Sequence, residues 1–317
     1  MPSTSRRRII PNPVSSVREL ISIVRELSLD ELRDAALRIP RIAVIAPTVS
    51  EARDTAALVF GSEAPQFIVA QGEDDPWPQR ADIVLVDRRT RPARMVGPEF
   101  LVEFTPDEPV EAIRSAVVRV GNDMELALGR TFPVLRQAAA LYVINSTSRA
   151  NGQFALVSNI PALIPLVGGV LAAGADTIIL TKNQLMMIFK LAAIHNQDVN
   201  DRFRIYREMI PIVGAGLVWR TVARELAAMV PFAAGTVPKI TIAVAGTYAA
   251  GMAAHVYYLE GTRASAERVR GFYRQALAEL AKRPAFLRGH SKEPLPLPAE
   301  SDSNNADQDS GSSVGIP

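Results

Sequence analysis

The chain has 317 residues, 48% of them hydrophobic and 21% charged, with a mean hydropathy of +0.11 and a formal net charge of +2. Apolar surface for burial is ample, which excludes a wholly disordered chain, and charge is too frequent for a protein that is membrane from end to end. No cysteine is present, so disulfides, thiolate zinc sites, iron–sulfur clusters and cysteine nucleophiles are excluded too.

Residues 1–40 read as an amphipathic helical arm. Arg6, Arg7 and Arg8 are followed only by Ile9 and Ile10 before Pro11, short of the roughly seven apolar residues a secretory signal needs, so the N-terminus is expected in the cytosol. Val14, Val17, Leu20, Ile21, Val24 and Leu27 recur at helical spacing. Ser28 with Glu31 has the capping-box pattern and predicts a second short helix.

Residues 41–128 read as a small α/β domain with a mostly parallel sheet. Strands are expected at 42–46, a short apolar run rich in β-branched residues, and at 66–70, 82–87 and 99–104. Thr48 with Glu51 predicts a helix that ends near Gly61. Thr105, Pro106 and Glu108 predict the start of another that ends near Val120. Short apolar strands alternating with capped helices argue for parallel pairing.

Residues 129–285 are expected to be helical, and 286–317, rich in Pro, Ser, Asp and Asn, to form a disordered tail. Composition changes sharply inside the helical part. Positions 155–259 carry 13 charged residues in 105, against 55 in the other 212. Ala150–Ala175 is a run of 26 residues without charge, and Ile240–Leu259 another of 20. Both match the length, about 20 residues, that crosses a bilayer core. Proline-then-small motifs repeat at Ile164–Gly169, Ile210–Ala215 and Val230–Gly235, which suggests an apolar α-helical hairpin bundle. The alternative is a large helical core in a soluble protein.

Flanking charge bears on that choice. Arg130, Arg136 and Arg149 precede the first run, and eight basic residues lie between 263 and 292 against Glu267 and Glu279. Both flanks favour the cytoplasmic side, so N- and C-termini are expected in the cytosol at a membrane, with two crossings the simplest arrangement. Between the runs, residues 182–225 hold seven Lys or Arg and four acids, which opposes crossing. Either that stretch is translocated or the apolar segments dip in and return. Residues 262–283 form a basic amphipathic helix, from which Arg263, Arg270, Arg274, Lys282 and Arg283 are candidates for contact with anionic headgroups. Asp176 beside the first run is the intramembrane polar candidate; its alternative role is a helix-end or ion-pairing residue. Trp219, Tyr257 and Tyr258 sit near ends of apolar segments, as interfacial anchors do.

Asn159-Ile160-Pro161, Ile164-Pro165, Gly168, Asp176, Gln184, Met187 and Ala192-Ala193 together resemble the YcjF-like domain of unknown function. The resemblance covers roughly 150–285. It implies a membrane-bound helical region and, as a partner, an Era-like GTPase of the kind often fused to, or encoded beside, members of that family. It implies no catalytic residues.

Several chemistries fail on the residues themselves. After the strand at 42–46 the chain reads Pro47-Thr48-Val49-Ser50-Glu51, with no glycine before Gly61 and no lysine before Lys182. A phosphate loop needs both, and arginine does not fit the cradle of its lysine. No Gly-x-Gly-x-x-Gly and no Gly-x-Ser-x-Gly occur. Asp87, at a strand end where α/β proteins place functional carboxylates, reads better as a strand-end cap. His195, His255 and His290 have no second ligand at helical spacing, so no metal and no cofactor are expected. Basic residues do not interleave with aromatics, which argues against nucleic acid.

The expectation is therefore a non-enzymatic scaffold or regulator at the membrane, contacting lipid and acting with a GTPase in trans. The alternatives are a soluble two-domain interaction module, whose apolar helices close on themselves or form a homo-oligomer with Asn183, Gln184, Lys190 and Arg224 facing water, and a membrane-remodelling or pore-forming protein.

Overall fold

A computed structural model describes residues 29–62, 68–76, 78, 80–90, 101–121, 123–157, 171–198, 200–201, 204–205 and 236–282; for 156–157, 171–181 and 236–239 it describes the backbone alone. Helix α1 (Asp30–Leu37) precedes β1 (Ile42–Ile45), α2 (Val49–Phe60), β2 (Ile68–Gln71), β3 (Ile83–Asp87) and β4 (Leu101–Phe104). Helices α3 (Val110–Val120), α4 (Glu125–Thr131), α5 (Arg136–Val157), α6 (Leu171–Ile194), α7 (Thr236–Glu260) and α8 (Ala266–Lys282) follow.

The four strands form one parallel sheet in the order β2-β1-β3-β4. Strands β1 and β3 are buried at every position, which is why they read as unbroken apolar runs rather than alternating ones. Ile42, Val44, Ile83, Leu85, Val102 and Phe104 on one face join the main core, which continues into the helices; Ala43, Ile45, Val84 and Val86 form a separate small cluster on the other. Asp82 ties the start of β3 to the start of β1, accepting from the Arg41 backbone N–H at 2.9 Å and the Arg38 guanidinium at 2.8 Å.

The expected capping box exists: the Glu51 N–H donates to Thr48 Oγ1 at 3.2 Å, and the Thr48 N–H to Glu51 Oε2 at 3.3 Å. The helix expected to start at Thr105 instead begins at Val110, after Pro109. Thr105 and Glu108 close a turn on each other, the Glu108 N–H donating to the Thr105 carbonyl, and Pro109 then sets the helical entry. The Ser28 cap lies outside the described residues, and α1 starts after Leu29 without a side-chain cap.

Helices α5, α6 and α7 pack along one another, with α8 folded back on α7. Gly129 of α4 faces Ile194 at the end of α6, while Asn183 of α6 reaches Asn151 of α5, so α5 and α6 run antiparallel. Gly152 faces Val244, and Gly251 faces Ile144, so α7 also runs against α5. A Cβ on Gly152 would stand 2.4 Å from Val244 Cγ2, so only glycine lets these two backbones approach so closely. The end of α5 and the starts of α6 and α7 therefore lie together at the end of the packing away from α4.

Candidate functional site

Three places in the molecule gather polar or charged groups: the carboxyl edge of the sheet, the interior of the helical packing, and the basic outer face of α8. In a parallel sheet, ligands bind where neighbouring strands send their connections to opposite sides. Here that is the edge of β1 and β3, since β1 leads to β2 and β3 to β4. At this edge Asp87 and Glu51 both pair with Arg89. Asp87 is 1% exposed, and its Oδ1 accepts from the Arg89 N–H at 2.8 Å while Oδ2 accepts from the guanidinium at 2.7 Å. Burial opposes ionisation of Asp87, but the Arg89 hydrogen bonds outweigh it and hold the carboxyl below its ordinary range. Arg89 also lies 3.6 Å from Glu51. At the start of α2, Pro47 has no N–H, and the N–H groups of Thr48 and Glu51 are taken by each other's side chains. Two of the donors that would cradle a phosphate are occupied, and a carboxylate stands among them.

Inside the helical packing, polar groups meet in two layers. In the first, Asn183 Nδ2 donates to Asn151 Oδ1 at 2.8 Å, and Asn151 Nδ2 donates to Thr247 Oγ1 at 2.9 Å. Gln184 Nε2 donates to the same hydroxyl at 3.4 Å, and that hydroxyl donates to the Ala243 carbonyl. In the second, His195 Nε2 lies 3.1 Å from His255 Nδ1, both imidazoles are buried, and the Tyr258 ring stacks on His195. Burial pushes both imidazoles down to about 4, helped for His195 by its partner and Arg136 and opposed for His255 by Glu260. His195 is held at the end of α6 by Asn196, whose φ of 61° directs the Gln197 N–H back to the Ala192 carbonyl. Among the described residues no third His, Cys, Asp or Glu completes a metal set with them. No spacing rule could have found this pair, because 60 positions separate its members.

Helix α8 buries Phe272, Tyr273, Ala276 and Leu280 against α7, so its apolar stripe is used inside the protein. Arg263, Arg270, Arg274 and Lys282 are exposed. Lys282 pairs with Glu279 at 3.0 Å, while Arg263, Arg270 and Arg274 have no carboxylate partner among the described residues. Arg283, Trp219 and Arg224 lie outside the described residues, and Asp176 is placed only as a position in α6. Asn183 and Gln184 are half-buried and bond inward, and Lys190 bonds to the buried Glu125 at 3.1 Å.

Among the described residues one helix, Ile240–Glu260, is long and apolar enough to cross a membrane, and 72% of its apolar window is buried inside the protein. No family model, curated protein or solved structure matches this chain.

Proposed function

We propose that this protein is a non-enzymatic scaffold or regulator that attaches to a membrane by the charge-poor end of its helices. The observation that carries this reading is the shared end of α5, α6 and α7. The joining segment 158–170 carries no charge, and in the whole span 150–181 Asp176 is the one charged residue. In this reading the apolar helical hairpins of 155–259 form the tether, and their outer end dips into one face of the bilayer and returns. The protein wrapped around Ile240–Glu260 supports a dip rather than a crossing of that helix. A GTPase partner, implied by the YcjF-like resemblance, belongs to the same proposal. Fractionation of lysate tests the tether: recovery in the membrane fraction, released by detergent but not by carbonate, is expected, and full recovery in the soluble fraction overturns it.

The second reading, a soluble two-domain interaction module, is favoured by the same burial of Ile240–Glu260, since an interior helix of a soluble protein has that character. It predicts a protein that stays monodisperse without detergent and ignores lipid.

A further inference from the structure

We infer that the protein stands upright on the membrane, with Lys182 and Lys282 at the level of anionic lipid headgroups and the arginine face of α8 held clear of them. This rests on the tether proposed above and adds to it an orientation and a lipid class.

The hydrogen-bonded layer supplies the ruler. Asn183, Asn151 and Thr247 share one level across α6, α5 and α7. Lys182 is the next residue toward the start of α6, about 1.5 Å along the axis. Helix α8 runs back along α7 from the Arg268–Glu260 ion pair at 2.8 Å. Lys282 stands fourteen residues from Arg268, about 21 Å toward the same end, and Thr247 thirteen residues from Glu260, about 20 Å. The two ammonium groups, on different helices, thus stand within about one helical turn of each other along the axis. Both are exposed, and the Lys282–Glu279 pair leaves the lysine side chain 70% accessible. An exposed pair of that kind is readily exchanged for a phosphate.

Beyond Lys182, α6 continues for eleven residues to Leu171, about 16 Å. That is about half of the roughly 30 Å hydrocarbon core, the depth of a single leaflet. Asp176 is the only charged residue over this length and in 158–170. Lys182 and Lys282 therefore fall where charge thins out, with Lys239 of α7 eight residues from Thr247 toward the same end, and long basic side chains at such a boundary reach headgroups. Arg274 and Arg270 lie eight and twelve residues back along α8, about 12 and 18 Å from Lys282, beyond the roughly 8 Å screening length at physiological salt. Arg263 is further still.

Flotation of the full chain with vesicles tests this, using phosphatidylcholine alone and phosphatidylcholine with 30% phosphatidylglycerol. Wild type should partition more strongly onto the anionic vesicles. K182E/K282E should lose about tenfold or more of that partitioning and little on the neutral ones. R270E/R274E, an identical change of net charge, should stay within about twofold of wild type. Asp176→Asn should bind both vesicle types more tightly, because it removes a carboxylate from the inserted length. A loss in R270E/R274E as large as in K182E/K282E would mean side-on docking through α8 and would overturn the upright posture while leaving the tether intact. Equal wild-type binding to the two vesicle types would remove the lysine contact. Absence of wild-type binding to either would remove the tether itself.

Discussion

The sheet and the three long helices bury similar apolar stock by different means. Strands β1 and β3 are apolar at nearly every position, and polar groups appear only where they end, at Asp82 and Asp87, each neutralised by arginine. Helices α5, α6 and α7 carry polar groups inside the packing and join them from helix to helix, through Asn151, Asn183 and Thr247 along their length and through His195 and His255 near the ends of α6 and α7. A parallel sheet satisfies its backbone laterally, so its strands need no side-chain partners inside. Helices satisfy their own backbones and slide freely unless something sets their register, which buried hydrogen bonds and close glycine contacts do. Aromatic placement differs as well: Tyr257 and Tyr258 lie at the end of α7 near the histidine pair, opposite the end proposed to meet lipid.

The continuous core is the first place to test that comparison. Leu85 in β3 and Leu191 in α6 are both fully buried in one cluster. Replacing either with alanine should cost about 3 kcal/mol, and each should shift a single calorimetric transition. Two transitions, each answering to one substitution, would divide the regions into independent units. Next in size is Gly152→Ala, whose new methyl would meet Val244; a loss of about 2 kcal/mol is expected in urea denaturation.

The histidine pair gives a pH signature confined to the helices. Both imidazoles lie near 4 in the folded chain and near 6.5 when unfolded, so the unfolded chain binds more protons between those values. Stability is complete above about 6.5 and falls as pH drops toward 4, by at most about 1.4 kcal/mol per pH unit for each histidine. Melting temperature followed from pH 7 to 5 should fall more steeply in wild type than in His255→Asn. Equal slopes would show that the pair does not titrate on unfolding. The smallest effect expected has the opposite sign. Gly271 lies mid-helix in α8 with open space where a Cβ would go, so Gly271→Ala should add about 0.5–1 kcal/mol.

Local signals in the chain were enough for the α/β half. Each of the four strands falls within two residues of its expected place, and α2 starts at the Thr48–Glu51 box, because short apolar runs and caps act within a few residues. The start of α3 was misread for the same kind of reason: Thr105-Pro106 has the chemistry of a cap, but Thr105 and Glu108 close a turn on each other and the helix enters only after Pro109. Asp87 was legible as a strand-end residue, its partner Arg89 being two positions away. The basic face of α8 was legible from periodicity. That its apolar stripe would be spent on α7 was not, since an amphipathic helix looks alike in sequence whether it faces lipid or protein.

What the amino-acid order determined unaided is therefore the four strands, their parallel sheet and the capped start of α2, all written within a few neighbouring residues; that the uncharged run 150–175 would be shared between the end of α5 and the start of α6 was not written there. Tertiary structure alone decided which distant groups meet: Asn151 with Thr247, and His195 with His255. Those encounters depend on helix direction and register, and both are set by packing between segments tens of residues apart, where no periodicity reaches.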